Sequence, residues 1–189
     1  PNTRKVAKKY QNVSLNVIEK LLTSKIHEER LCAFEILCFK YEKSSEEEIK
    51  REIYNFCLKN RKSMNNWDLV DLTAPYIIGN FLSNKNKERE ILYKLAKSNN
   101  LWEKRISIIS TAAFIKNKQF QDTIKISEIL LNDNHDLIQK AVGWMLREVG
   151  KRDKKKLLEF LNKNYKNMPR VMLRYSIEKF PEPERKKYL

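Results

Sequence analysis

Five segments of similar apolar pattern recur along the 189-residue chain, and this repeat limits the folds open to it more than any other feature. Within each segment, apolar residues return every three or four positions, which predicts an amphipathic helix. The segments begin at Glu28, Trp67, Trp102, Asp136 and Pro169. The intervals of 39, 35, 34 and 33 residues between these starts are typical of stacked helix pairs.

A second amphipathic segment precedes each of the last four starts, which predicts two helices in each repeat. Stacked two-helix units form a curved α-solenoid with one concave face. No linker rich in Pro, Gly or Ser divides the sequence, so residues 1–189 are predicted to form one all-α domain. The predicted second helices are Ser45–Lys59, Lys87–Ala96, Thr123–Leu131 and Lys154–Leu161.

The charge of the chain points to a polyanionic partner. With 39 basic and 24 acidic residues, the formal net charge is +15. Such a surplus favours nucleic acid, before an anionic membrane surface, as the partner. We therefore expect a right-handed solenoid whose concave face is basic. The longest uncharged run, Leu72 to Asn84, is well short of the ~18 apolar residues that cross a bilayer, so no membrane segment is expected.

Several kinds of cofactor site are excluded by composition. The chain has only three glycines, too few for a Gly-rich phosphate loop, so we expect no nucleotide cofactor. Two histidines without a Cys-x-x-Cys pair make a metal site improbable. The three cysteines, Cys32, Cys38 and Cys57, fall within apolar helical patterns. We interpret them as reduced thiols in the core of a cytosolic protein.

Tryptophans at the repeat starts suggest where chemistry is located. Trp67 and Asp71 are four residues apart and share a helix face, and Trp144 and Arg147 share another. Arg105 lies three residues after Trp102. Equivalent helices of a solenoid line the same surface, so these side chains are expected to converge on one groove. Indoles attract cations, and a fixed carboxylate stabilises positive charge that develops on a sugar.

At this point the sequence resembles the AlkD-like alkylpurine DNA glycosylases. The similar segments follow the family's order and spacing and run from the N-terminus to about Tyr188. The resemblance implies HEAT-like repeats and excision of cationic N3- and N7-alkylpurines from double-stranded DNA, leaving an abasic site without metal or nucleotide. The segments are HEERLCAFEIL (27–37), NNWDLVD (65–71), LWEKRISII (101–109), KAVGWMLREVGK (140–151) and PRVMLRYSIEKF (169–180).

The resemblance also assigns residues. It implies that Trp67 and Asp71 lie against the deoxyribose of the lesion, with Trp144 as a second indole wall, and these three are the predicted catalytic residues. It further implies that Arg105 clamps the phosphate beside the lesion and that Arg147 lies near the DNA backbone.

Other basic residues flank these segments. Lys151 follows the GWMLRE helix, and Arg170 and Arg174 lie on the last predicted helix. We expect them to contact phosphates. The structural alternative for Arg105 and Arg147 is a salt bridge, for instance with Glu103 or Glu148. Trp102 is assigned to the interior between repeats.

The resemblance implies a further helical segment before the first repeat unit, whereas this sequence opens inside that unit. We expect either the removal of an initiator Met or the absence of that segment. No lysine is singled out as a nucleophile, so a monofunctional enzyme is predicted, acting as a cytoplasmic monomer that associates with the nucleoid when bound to DNA. Two other functions stay open: a non-catalytic solenoid that binds branched or damaged DNA, and a protein-interaction scaffold.

Overall fold

The computed structural model describes residues 2–188, and this part of the chain is helical, without a β-strand. Three short 3₁₀ segments and one π-helical segment, Ala74–Gly79, lie between the α-helices. The α-helices are α1 (Asn2–Lys9), α2 (Leu15–Leu22), α3 (His27–Lys43), α4 (Glu47–Lys59), α5 (Trp67–Thr73), α6 (Asn80–Leu82), α7 (Glu90–Ala96), α8 (Leu101–Ser110), α9 (Ala112–Lys116), α10 (Gln121–Ile129), α11 (Asp136–Arg152), α12 (Lys154–Asn164), α13 (Arg170–Ser176) and α14 (Glu182–Arg185).

The five predicted repeat starts are confirmed to within one residue, as the first residues of α3, α5, α8, α11 and α13. Side chains that cap three of these helices explain the agreement. Asn66 accepts a hydrogen bond from the backbone of Trp67, and Asn100 accepts from Trp102 and Glu103. The ring of His135 accepts from Leu137. Such caps satisfy backbone donors that a helix start leaves unpaired, so they fix the start locally.

The five helices contact one another in chain order, α3 with α5, α5 with α8, α8 with α11 and α11 with α13. We call these five helices the front row. The remaining large helices pack behind it, with α4 on the π segment, α7 on α8, α10 on α8 and α11, and α12 on α11. The apolar core lies between the front row and these helices, and it is continuous from Ala7 to Ile177. The handedness and the concave basic face of the predicted solenoid stay predictions.

A π-helical segment follows directly on α5. Pro75 is the second residue of the segment, and α5 ends two residues before it, at Thr73. Proline lacks the N–H that an α-helix needs at this point, and a π turn accommodates the missing bond. At the end of the segment, a Cβ on Gly79 would overlap the carbonyl oxygen of Ser110. The lack of a side chain at Gly79 therefore allows the segment to pack directly against α8.

The cysteines are free thiols; Cys57 is buried, as predicted, whereas Cys32 and Cys38 are only partly buried and pack against the core. Burial raises the pKa of the Cys38 thiol to about 12. It also raises the pKa of Cys57. Both thiols are therefore protonated at neutral pH and behave as small apolar groups.

Candidate functional site

An ion pair with two hydrogen bonds joins Asp71 on α5 to Arg105 on α8. Nε of Arg105 donates to Oδ1 at 2.9 Å, and Nη2 donates to Oδ2 at 2.8 Å. Nη1 of the same guanidinium donates to the carbonyl oxygen of Leu137 on α11, at 2.6 Å. One arginine thus connects three neighbouring helices of the front row and fixes the plane of the Asp71 carboxylate.

The two partners differ in their access to solvent. The side chain of Arg105 is 6% exposed and that of Asp71 is 17% exposed. The guanidinium is therefore held inside the protein, whereas part of the carboxylate reaches the surface. A carboxylate has about four lone-pair sites, and Arg105 occupies two of them. The geometry leaves Asp71 able to accept from a further group, such as a water molecule.

Trp67 lies one helical turn before Asp71 and is 53% exposed. Its backbone is held by the Asn66 cap at 2.7 Å, but half of its surface faces solvent. Tryptophan is enriched at binding surfaces because it combines a large apolar body with a polar N–H group, so a half-exposed indole one turn from an ion pair is a candidate binding residue. The structure thus brings Trp67, Asp71 and Arg105 to one end of α5.

Trp144 is placed on α11, seven residues after Leu137, whose carbonyl binds Arg105. Seven residues are two helical turns, so Trp144 shares the Leu137 side of α11 about 10 Å further along. It is partly buried and packs against the core. Gly143 permits the close approach of α13 on the other side, because a Cβ there would overlap Tyr175 and Met172. Trp102 is also partly buried against the core, in agreement with the interior position expected for it.

Arg105, which was expected to clamp a phosphate, uses three of its five N–H donors inside the protein. Its N–H groups already bind Asp71 and Leu137. The alternative partner Glu103 binds Arg61 at 2.7 Å and Ser98 at 2.6 Å instead. Burial raises the pKa of Glu103, but these hydrogen bonds outweigh it and hold that pKa below its usual range. A contact between Arg105 and a phosphate stays a prediction.

The other predicted DNA-binding residues lie on α11 and α13. Arg147 forms ion pairs with Glu178 and, at 3.8 Å, with Glu148. Lys151 donates to Glu148 at 2.6 Å. Although burial raises the pKa of Glu148, its bonds to Lys151 and Arg152 lower it overall. The carboxylate is therefore charged at neutral pH.

Arg170 and Arg174 are exposed on α13, and Arg174 lines a surface groove of about 540 Å³ between α11 and α13. Their exposure leaves both side chains accessible to a large partner. Contacts of Arg147, Lys151, Arg170 and Arg174 with DNA stay predictions.

One contact at this end of α5 was not predicted from the sequence. Nε2 of His27, the first residue of α3, lies 2.7 Å from Oδ2 of Asp68, the second residue of α5. The sequence held a signal for this contact, because the separation of 41 positions between His27 and Asp68 is close to the first repeat interval of 39. Equivalent ends of adjacent repeats lie side by side, so a histidine and a carboxylate at these positions are able to meet.

Two further features, a metal centre and a membrane-spanning helix, are absent from residues 2–188. No group of His, Cys, Asp and Glu side chains there is arranged to hold a metal ion. Across the same residues, no helix combines the length and apolar character needed to span a membrane.

Comparison with known proteins agrees with the resemblance seen in the sequence. A family model described as "DNA alkylation repair enzyme" matches residues 1–180. No curated protein matches the chain in sequence. Among solved structures, a "Predicted DNA alkylation repair enzyme from Enterococcus faecalis" superposes with a TM-score of 0.73 at 17% identity, over 95% of this chain and 83% of that chain. The all-α fold is confirmed by this likeness. Because the family match covers nearly the whole sequence, the chain belongs to the DNA alkylation repair enzyme family.

Proposed function

We propose that the protein is a monofunctional DNA glycosylase that hydrolyses the N-glycosidic bond of cationic N3- and N7-alkylpurines in duplex DNA. The observation that carries the proposal is the arrangement of side chains on α5 and on its neighbour α8. There a half-exposed indole lies one turn from a carboxylate that an arginine holds in place, on a chain of net charge +15. Family membership supports a role in repair of alkylated DNA, and the residues suggest the reaction.

In the proposed reaction, a water oxygen forms a bond to C1′ as the bond between C1′ and the purine nitrogen breaks. The electron pair of the broken bond neutralises the cationic purine, which leaves as a neutral base. The proton lost by the water passes to Asp71 and then to solvent. Positive charge grows on the deoxyribose in the transition state, and the fixed negative charge of Asp71 stabilises it without reorganisation.

The aromatic side chains and Arg105 have supporting roles in this proposal. Trp67 on α5, and Trp144 on α11 two helices further along the front row, present indole faces that attract the cationic sugar and exclude bulk water. Arg105 holds the Asp71 carboxylate in one orientation, as its two hydrogen bonds indicate. We propose that the enzyme acts as a monomer and that phosphate contacts of exposed basic residues provide salt-dependent affinity.

The experiment that tests the proposal is base release from a duplex that carries a single N7-methylguanine. Wild-type protein is expected to release free base and leave an abasic site, and Asp71→Asn is expected to release far less while it still binds the duplex. Release by both proteins at the same rate would contradict the role given to Asp71.

A second candidate function is non-catalytic binding of damaged or branched DNA. It is favoured by the fact that the Asp71–Arg105 pair connects three helices, which is sufficient reason for a carboxylate at this position without catalysis. Binding alone, however, gains nothing from a partly exposed carboxylate facing a polyanion. Tight, salt-sensitive binding without release of base would support this second function.

A further inference from the structure

We propose that His27 is a positioning residue that fixes the first turn of α5 and, with it, the orientation of Trp67 and Asp71. The structural part of this inference stands on the His27–Asp68 contact, and its kinetic consequence rests on the proposed function. Nε2 of His27 donates to Oδ2 of Asp68 at 2.7 Å, with side-chain exposures of 28% and 29%. A pair so largely removed from solvent is screened less than the exposed ion pairs elsewhere on the surface.

Asp68 is itself held firmly by the start of its helix. Its second oxygen, Oδ1, accepts from the backbone N–H of Leu69 at 2.9 Å. Oδ1 of Asp68 therefore accepts a hydrogen bond from α5 itself, and Oδ2 accepts one from His27 on α3. The contact with His27 is thus transmitted to the backbone of α5 and is not confined to the tip of a flexible side chain.

The two acidic residues of α5 connect it to the helices on either side of it in the front row. Asp68 binds His27 on the preceding helix α3, and three residues later Asp71 binds Arg105 on the following helix α8. Without His27, the buried apolar residues of α5 and the Arg105 ion pair remain, but the first turn loses its hydrogen bond to α3.

α5 depends on such anchors because it is short and its first side chain packs poorly. The helix has only seven residues, and isolated helices of that length are unstable in water. Trp67 is half exposed, so its own packing does not determine where its indole points. The Asn66 cap at 2.7 Å fixes the backbone locally but does not connect it to another helix. Leu69, Val70 and Thr73 are buried and hold the inner face of α5 against the core, and the His27–Asp68 contact adds a polar connection to α3 beside Trp67.

The structural part is testable without any measurement of activity. The protein contains three tryptophans, so 5-fluorotryptophan gives three fluorine resonances, which Trp→Phe variants assign. In His27→Ala, the Trp67 resonance is expected to move or broaden while those of Trp102 and Trp144 stay in place. In His27→Gln, whose side-chain amide keeps a donor for Asp68, the wild-type position is expected to return in large part.

The kinetic part uses single-turnover excision and DNA binding. We expect His27→Ala to lower the excision rate about tenfold while the Kd for the duplex changes less than about twofold, since small displacements of reacting groups affect the chemical step most. Combined with Asp68→Ala, it is expected to cause little further loss, because both changes remove the same contact.

Lys85→Ala is the matched control. Lys85 pairs with Glu47 at 2.6 Å and is 21% exposed, but it lies away from the first turn of α5. An unmoved Trp67 resonance in His27→Ala, or an equal loss of rate in Lys85→Ala, would overturn the proposal. If wild-type protein releases no base, the proposed function fails while the fluorine experiment still decides whether His27 positions Trp67.

Discussion

Replacing Asp71 by Asn is the most informative single change, because the structure allows its effects on stability and on rate to be separated. Asp71 accepts two hydrogen bonds from a guanidinium that is only 6% exposed. An amide keeps one acceptor oxygen but turns an NH₂ group towards Arg105 and removes the charge. Arg105 retains its bond to the Leu137 carbonyl, so it is not left without a partner.

The expected loss of stability follows from this partial compensation. Breaking a fully buried ion pair costs about 3–5 kcal/mol. Because Asp71 is 17% exposed and one hydrogen bond survives, we expect about 2 kcal/mol. For a chain of this length each kcal/mol lowers Tm by about 2–4 °C, which gives about 4–8 °C in total. At 25 °C the variant therefore remains folded if the wild-type protein has ordinary stability.

The excision rate is expected to fall by more than the loss of stability explains, because the variant remains folded at 25 °C. Removing one fixed electrostatic group from a transition state typically lowers the rate by about 10²–10³-fold. The assay is single-turnover release of N7-methylguanine from a duplex at 25 °C, with enzyme in excess, together with the Kd for the same duplex. Affinity is expected to stay the same or to increase, because a negative charge that faces the polyanion has been removed.

Asp122→Asn is the matched control for this experiment. Asp122 accepts from the buried Arg89 at 2.8 Å, and the side-chain exposures of that pair, 8% for Arg89 and 15% for Asp122, are close to those of the Arg105–Asp71 pair. We expect a similar fall in Tm without loss of excision. If Asp122→Asn lowers the rate as much as Asp71→Asn, or if Asp71→Asn retains the wild-type rate, the catalytic assignment of Asp71 is refuted.

Three further changes test other parts of the site and fold. Arg105→Ala is expected to lower the excision rate, because Asp71 loses the group that orients it. If the salt dependence of DNA binding also flattens by about one unit of slope, Arg105 contacts a phosphate as well. An unchanged slope would restrict Arg105 to positioning. Trp144→Ala is expected to weaken the preference for a lesion-bearing duplex more than the affinity for undamaged DNA, as competition binding with the two duplexes would show; an equal loss for both would contradict its role as an indole wall. Burial raises the pKa of the Glu35 carboxyl despite the opposing effects of Thr3 and Arg4, so its ionisation destabilises the folded protein as the pH rises above the ordinary range of Glu. The free energy of unfolding of Glu35→Gln, relative to wild type, should therefore increase between pH 4 and pH 7 in urea titrations, and a difference independent of pH would contradict this reasoning.

The helix starts were predictable because local residues determine them. Apolar periodicity located the front-row helices, and caps such as Asn66 and Asn100 lie within three residues of the groups they bind. The two tryptophans near the starts of α5 and α8 differ in exposure, and the position of each in its helix explains the difference. Trp67 is the first residue of its helix and Trp102 the second, and one position rotates a side chain by about 100° around the axis. This difference of one residue is consistent with the exposure of Trp67 and the partial burial of Trp102.

The partners of the charged residues were harder to predict, because they come from other repeats. Arg105 binds Asp71, 34 residues away, and Arg147 binds Glu178, 31 residues away. Glu103 was a poor candidate for Arg105 on helix geometry alone, since residues two apart on a helix do not face each other. Spacings close to one repeat identify such partners once the repeat is known, but the choice among several acids depends on the packing of the helices.

The Asp71–Arg105 pair and the Asp122–Arg89 pair differ in how the carboxylate is held and in what lies beside it. Besides Asp122, Arg89 binds the carbonyls of Leu82 and Ser83 and the side chain of Gln119, and Asp122 also accepts from Tyr93 at 2.7 Å. Asp122 thus accepts two side-chain hydrogen bonds, as Asp71 does, but from two different residues, and the pair lines a surface groove of about 980 Å³. In residues 2–188, by contrast, Asp71 accepts side-chain hydrogen bonds from Arg105 alone. Its remaining acceptor capacity is next to the exposed indole of Trp67. Asp71 is distinguished by the single guanidinium that orients both of its oxygens and by the exposed indole one turn away, and this is why we assign the reaction to it.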